Sequence, residues 1–313
     1  MYLGIIRKNI PRIYFLKQKK MGGDLKSKLL DFSSINLTEL NATASYLKRI
    51  DRKYLITESK LKIILDDLKS DFQVLDIDWT RVFSYDNVYM DTEDYFFYNQ
   101  HQNKEKSRTK VRTRLYEDSN LAFFEYKQKE DWVTKKFRYQ FPNEEHGGMT
   151  NGKKRFFEWV WQSLYNTVAP KITPAIKTKY NRLTLVNKSG EERLTIDFNI
   201  KIKDLRNKNI KEIELKNLVI IESKSMSEKC FSSEIMDKNL IKKATSCSKY
   251  SLWVIYSWLA EKWTTFSETM KKIKEIRLET IKNRKRKISV KKVEKAIKNN
   301  FKKTNLEKVE ASI

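Results

Sequence analysis

The sequence predicts an α+β domain built on a barrel or strongly curled, mostly antiparallel sheet, with helices packed outside it. Three observations carry that prediction. First, short segments place Lys or Arg at every second position, as in Lys110-Val111-Arg112-Thr113-Arg114, Glu125-Tyr126-Lys127-Gln128-Lys129 and Lys136-Phe137-Arg138. Alternate residues of a strand point to one face, so each segment aims its charges one way. Arg49-Ile50-Asp51-Arg52-Lys53, Tyr180-Asn181-Arg182 and Glu222-Ser223-Lys224 repeat the pattern. Second, the opposite faces are often polar or weakly apolar, which suits the wall of a barrel with a wet, charged interior. Third, runs of helical period stand between the strand-like runs.

In chain order, residues 1–44 read as a basic leader followed by a short helical lead-in, with Met21-Gly22-Gly23 as an alternative start. Residues 45–55 read as the first strand. Thr57 then offers a helix N-cap, and Leu61, Ile64, Leu65 and Leu68 recur at helical spacing. Residues 72–77 and 81–90 read as strands, and 91–101 as an irregular aromatic connection. Residues 109–116, 121–129 and 132–141 form a meander whose turns carry Glu117-Asp118-Ser119-Asn120 and Glu130-Asp131. Residues 153–168 read as a helix with Phe156, Phe157, Val160, Trp161 and Leu164 on its apolar side. Strands follow at 175–186, 193–202 and 218–225, then helices at 233–243 and 250–262. The run from Arg193 to Lys201 alternates cleanly, with its apolar side chains on one face. These elements make one domain over 45–262. From 263 to 313 the chain reads as a Lys-rich helical tail.

A net charge of +25 over 313 residues points to an acidic partner, although the abundance of Lys, Asn and Ile attributes part of the excess to genomic bias. The two cysteines, Cys230 and Cys247, make no disulfide framework and predict a reduced, cytoplasmic compartment. Two histidines exclude a His-rich zinc site. No apolar run reaches the ~20 residues that span a bilayer. The tail offers peripheral contact with the inner face of a membrane as an alternative to a solvated arm.

Any one charged face is an ordinary solvent face more often than a site. Recurrence changes the reading. Arg stands at 112, 114, 138 and 182 within a Lys-biased chain, and its planar fork matches phosphate oxygens as Lys does not. A lumen lined this way suits a polyanion, with its few carboxylates placed to hold a metal that bridges it.

These residues resemble the VTC domain, the catalytic domain of vacuolar transporter chaperone polyphosphate polymerases in the triphosphate tunnel metalloenzyme (CYTH-like) superfamily. The resemblance rests on Asp51-Arg52-Lys53-Tyr54-Leu55, Val88-Tyr89-Met90-Asp91-Thr92-Glu93-Asp94, Lys110-Val111-Arg112-Thr113-Arg114 and Glu125-Tyr126-Lys127-Gln128-Lys129. It continues through Lys179-Tyr180-Asn181-Arg182, Leu194-Thr195-Ile196-Asp197, Ile221-Glu222-Ser223-Lys224-Ser225 and Ser248-Lys249-Tyr250, all in register over about 45–255.

The resemblance implies an antiparallel eight-stranded β tunnel that binds ATP and inorganic polyphosphate and transfers the γ-phosphate to the growing chain, releasing ADP. It implies Lys53, Arg112, Arg114, Lys127, Arg182 and Lys224 as catalytic cations. Arg49, Lys129, Arg138, Tyr180, Ser248 and Lys249 would contact the phosphates, and Glu222 would carry Mn²⁺ or Mg²⁺. Nucleic acid is the disfavoured partner.

The chain departs from the superfamily's hydrolases, which open on alternating carboxylates, Glu-x-Glu-x-Lys. Here Arg49-x-Asp51-x-Lys53 leaves fewer metal ligands and disfavours two-metal hydrolysis. Asp51 reads as a partner of Arg49 rather than a ligand. Lys129 stands where relatives often carry His. A tripolyphosphatase or nucleoside triphosphatase, and a non-catalytic polyphosphate-binding module, are the rival readings.

Overall fold

The computed structural model describes residues 23–43, 50–131, 133–245, 247–250 and 267–282. The expectations for the leader, for Arg49, for a helix over 250–262 and for the tail beyond 282 fall outside the described residues.

The elements are α1 (Gly23–Leu30), β1 (Ser33–Ile35), α2 (Leu37–Thr43), β2 (Ile50–Thr57), α3 (Glu58–Leu68), β3 (Phe72–Leu75), β4 (Val82–Asp91) and α4 (Phe96–Gln102). They continue with β5 (Ser107–Tyr116), β6 (Leu121–Glu130), β7 (Val133–Phe141), α5 (Asn151–Tyr165), β8 (Thr173–Asn187), β9 (Glu192–Asp204), β10 (Ile213–Leu215), β11 (Leu218–Ser225) and α6 (Phe231–Lys238). Residues 267–282 form a further helix, α7.

The main strands run β2-β11-β9-β8-β4-β5-β6-β7, and every pairing along this path is antiparallel. The α+β class and the eight-stranded antiparallel wall are therefore as the sequence predicts. Backbone pairing does not close the wall: among the described residues, β2 and β7 stand at its two ends. The free edge of β2 is met by the segment after α6, where Ala244 donates its N–H to the Lys53 carbonyl at 2.8 Å and Lys243 bridges Tyr54.

The sheet's apolar cores lie mostly outside it, and this follows from the alternation. Arg52, Tyr54 and Ile56 of β2 point out, as do Val219 and Ile221 of β11 and Leu194 and Ile196 of β9. Leu61, Ile64, Leu65 and Leu68 of α3 cover the apolar members of that face, and Thr57 caps α3 by accepting the Lys60 N–H at 3.3 Å. Each such leucine, fully buried, contributes about 1.5–3 kcal/mol relative to exposure. A second outer core joins Phe157, Val160 and Trp161 of α5 to Val88, Met90, Val111, Phe124 and Tyr126.

Several local expectations need correction. Residues 31–44 split into β1 and α2, because Ser33–Ile35 finds a parallel partner in β3. The aromatic connection contains α4, whose first turn is held by Asp91: its carboxylate accepts the N–H groups of Phe97 and Tyr98 at 2.9 and 3.1 Å. The alternation of 193–201 breaks at Asn199, which takes φ 53° where the β8–β9 register slips. Asn tolerates this left-handed backbone better than most residues. Beyond the bulge Ile200 and Ile202 turn inward.

They meet Leu55, Leu218 and Ile220, together with Tyr89, Tyr98, Tyr250 and Met270, Ile273 and Ile276 of α7. This cluster packs α7 against strands of the sheet. No helix among the described residues is long and apolar enough to cross a membrane.

Candidate active site

The remainder of the inner face is cationic. On β5, Lys110, Arg112 and Arg114 share a face. Their direct neighbours on β6 are Lys127, Glu125 and Phe123, and those on β7 opposite β6 are Lys136, Arg138 and Gln140. Lys127 touches water yet is surrounded by protein, as the wall of a wet lumen requires. The sheet curls enough for Lys53 of β2 to act electrostatically on Lys110 of β5.

Glu125 is the hub of one group. Its Oε2 lies 2.7 Å from the Arg112 guanidinium and 3.8 Å from Arg114, and its Oε1 lies 2.8 Å from Arg138. Burial alone would raise its pKa, but Arg112 and Arg114 outweigh that and hold the carboxylate ionised far below the usual range. Arg114 also donates to Asn87 Oδ1 at 2.8 Å and to the Tyr180 hydroxyl at 3.4 Å.

Asp197 is the second hub. Arg182 grips it with both arms, at 2.6 and 2.8 Å, and Lys249 pairs with Oδ2 of the same carboxylate. Lys249 also lies 4.4 Å over the Tyr180 ring, and Tyr180 stacks on Tyr85 at 5.3 Å. Burial opposes ionisation of Tyr180, but Arg182, Arg114 and Lys249 overcome it and lower its pKa.

Glu222 is the third. Lys53 approaches its Oε1 at 3.0 Å and Lys224 at 2.8 Å, and Lys224 also stands 3.7 Å from Asp51. Desolvation pushes Glu222 up, but Lys53 and Lys224 hold it well below the ordinary carboxylate range.

Two cations stand apart. Lys110 donates to Ser248 Oγ at 3.0 Å, and burial followed by Lys127 and Lys53 brings its pKa down to about 7. Enclosure, then Lys136, takes Lys127 down to about 8. Neither has an ion-pair partner among the described residues.

The structure thus gathers Lys53, Arg112, Arg114, Lys127, Arg138, Tyr180, Arg182, Glu222, Lys224, Ser248 and Lys249 around one lumen. Lys129 lies farther along β6, opposite Arg108 and Thr134. Sequence reasoning left Lys110, Glu125 and Asp197 without a role. Lys110 had a legible signal, two residues before Arg112 on the same face. Asp197 had little, since its partner Lys249 is brought to it only by the fold.

Among the described residues, no three His, Cys, Asp or Glu side chains stand together as a metal cage. Glu222 with Asp51 nearby offers two carboxylates on adjacent strands. That set fits a hard cation sharing its coordination with phosphate oxygens, the usual arrangement for Mg²⁺.

The family model of the VTC domain matches residues 48–256, more than half of the chain. No curated protein matches the chain. Solved structures with a related outline include a candidate adenylate cyclase from Bacillus halodurans, 15% identical, covering 64% of this chain and 95% of its own, with a TM-score of 0.37. A candidate adenylyl cyclase from Hippeastrum with a dominant triphosphatase activity is 11% identical, covering 67% of this chain and 95% of its own, with a TM-score of 0.40. A protein from Pyrococcus horikoshii is 10% identical, covering 66% and 99%, with a TM-score of 0.35. At these scores the likenesses carry no argument about chemistry. The family match and the cationic lumen agree on a triphosphate-tunnel fold with phosphate- or nucleotide-related chemistry, and the chain belongs to the VTC domain family.

Proposed function

We propose that the chain is an ATP-dependent polyphosphate polymerase, transferring the γ-phosphate of ATP to a polyphosphate chain held in the lumen. The observation that carries this reading is the charge balance of the inner face. Every lumen carboxylate described above is already neutralised by at least one cation, and among the described residues Lys110 and Lys127 remain without an ion-pair partner. Such a surface is matched by a chain of phosphates rather than by a single released one.

Phosphoryl transfer asks the protein for positioning and charge neutralisation more than for covalent chemistry. Arg112, Arg114 and Arg182 offer planar forks to nonbridging oxygens, fixed in direction by Glu125, Asn87 and Asp197. Lys53, Lys127, Lys224 and Lys249 add point charges around them. Tyr180 offers a hydroxyl, and Ser248 another beside Lys110. Glu222, with Asp51, would hold Mn²⁺ or Mg²⁺, which when bound supplies neutralisation at the bridging phosphate oxygens.

The test is incubation of the purified protein with ATP and Mn²⁺, with the products resolved on a gel stained for polyphosphate and ADP assayed in parallel. A ladder of polymer matched by ADP is the expected result. Phosphate release without a ladder would replace the polymerase by a hydrolase, and tight polyphosphate binding without turnover would leave a binding module.

A further inference from the structure

Where β8, β4 and β5 lie side by side, one tyrosine stands between two of the lumen arginines. Tyr85 of β4 is directly opposite Tyr180 of β8 and Tyr116 of β5. Arg182 lies two residues along β8, opposite Phe83, and Arg114 lies two residues along β5, opposite Asn87. Tyr85 therefore sits on the diagonal between them, and diagonal neighbours are within reach of aromatic and long side chains. The Arg114 Cζ stands 5.2 Å from the centre of the Tyr85 ring, and the Arg182 Cζ stands 5.1 Å from it. Among the described residues Tyr85 is the one ring with both guanidiniums over it. Tyr116 receives Arg114 at 5.8 Å, and Tyr180 receives Arg182 at 5.4 Å.

Hydrogen bonds hold only part of each cation. Arg114 donates from Nε to Asn87 Oδ1 at 2.8 Å, and its Nη2 reaches the Tyr180 hydroxyl at 3.4 Å, the long end of a hydrogen bond. Arg182 donates from Nε and Nη2 to Asp197 at 2.6 and 2.8 Å. Such grips take the edges of a fork and leave its plane free to rock. Two like charges drawn together also repel, whereas an aromatic face attracts both. The ring is itself fixed. Tyr180 stacks on it at 5.3 Å with 7° between the planes, and Tyr116 leans against it at 5.1 Å and 60°. The Tyr85 hydroxyl makes no hydrogen bond among the described residues, so its neighbours use the π face and not the oxygen.

We propose that Tyr85 is a positioning residue: its ring holds Arg114 and Arg182 in one fixed relation, so that forks from two strands engage the same chain of phosphates. Forks set in advance spare the ligand the cost of collecting them. This rests on the reading of the lumen as a phosphate site, not on polymer synthesis.

The test is the affinity of the full chain for inorganic tripolyphosphate, measured by calorimetry, with the π-electron richness of the ring at position 85 as the variable. Tyr85→Phe keeps the face and is expected to bind within about twofold of the wild type. Replacing that phenylalanine by its mono-, di- and trifluorinated analogues drains the face while nearly keeping its shape. Affinity is expected to fall stepwise, by about tenfold over the series. Tyr85→Leu removes the face and should lose at least as much. It should lose less when Arg114→Met is already present, because the two changes then share a cause. A flat fluorine series, a full loss already in Tyr85→Phe, or additive losses in the double variant would overturn the inference. A wild-type chain that binds no tripolyphosphate would overturn it together with the phosphate reading of the lumen. One that binds it without making polymer would defeat the polymerase reading alone.

Discussion

Lys53 and Glu222 stand directly opposite each other on β2 and β11, and Lys53 Nζ lies 3.0 Å from Glu222 Oε1. Lys224 reaches the same oxygen at 2.8 Å. Set between two ammonium groups, the Glu222 carboxylate both neutralises the lumen and guards a position where a cation would bind.

Glu222→Gln should separate those two roles. Turnover should fall at least about a hundredfold, as for loss of a principal electrostatic group. Tripolyphosphate measured without metal should bind more tightly, because Lys53 and Lys224 lose their internal counter-charge. Calorimetric titration beside a Mn²⁺-dependence of turnover reads both. Wild-type turnover in this variant would remove Glu222 from the metal site.

Arg112→Lys keeps the charge but loses the fork that engages Glu125 through Nε and Nη2. Tripolyphosphate affinity should fall about tenfold, the scale of one charge-assisted hydrogen bond. The melting temperature should move little. Equal binding by the two proteins would show that this position supplies charge alone.

Lys110 gives a pH dependence with a definite sign. Its folded pKa is about 7, brought down first by burial and then by Lys127 and Lys53. A bound polyanion favours the charged ammonium, so binding takes up a proton and weakens as pH rises from about 7 towards the free-lysine value of about 10.4. Folding responds oppositely. The unfolded chain holds this proton through that window, so the group's contribution to stability rises with pH there. Titrations in buffers of different ionisation enthalpy should detect the uptake, and Lys110→Met should reduce it. The difference between the two proteins cancels the ligand's own protonation.

Leu65→Ala tests the outer core. Leu65 is fully buried on the sheet-facing side of α3, and its truncation should cost about 2–5 kcal/mol. Denaturant unfolding should show that loss, while tripolyphosphate affinity well below the midpoint stays at the wild-type value. A parallel loss of affinity would mean that α3 shapes the lumen as well as supporting the wall.

Much of this architecture is legible in the sequence because strand alternation is a local rule. Lys110, Arg112 and Arg114 must share a face whatever surrounds them, and Thr57 announces α3 before any contact is known. What escapes is set by distant partners. Ser33–Ile35 is a strand only because β3 lies beside it, and α4 forms where Asp91 satisfies its first amides from the end of β4. Asn199 looks like one more step of an alternating strand, yet its bulge turns Ile200 and Ile202 inward. The grip of Lys249 on Asp197 joins residues far apart in sequence, and no spacing rule reports it.

On β2, Tyr54 and Ile56 look outward into packed helices while Asp51 and Lys53 look inward at water and charge. Folding and chemistry are written on opposite sides of the same ribbon. Mutational drift can therefore rewrite the interior lining one residue at a time, trading one anion for another, while the supporting scaffold is left standing.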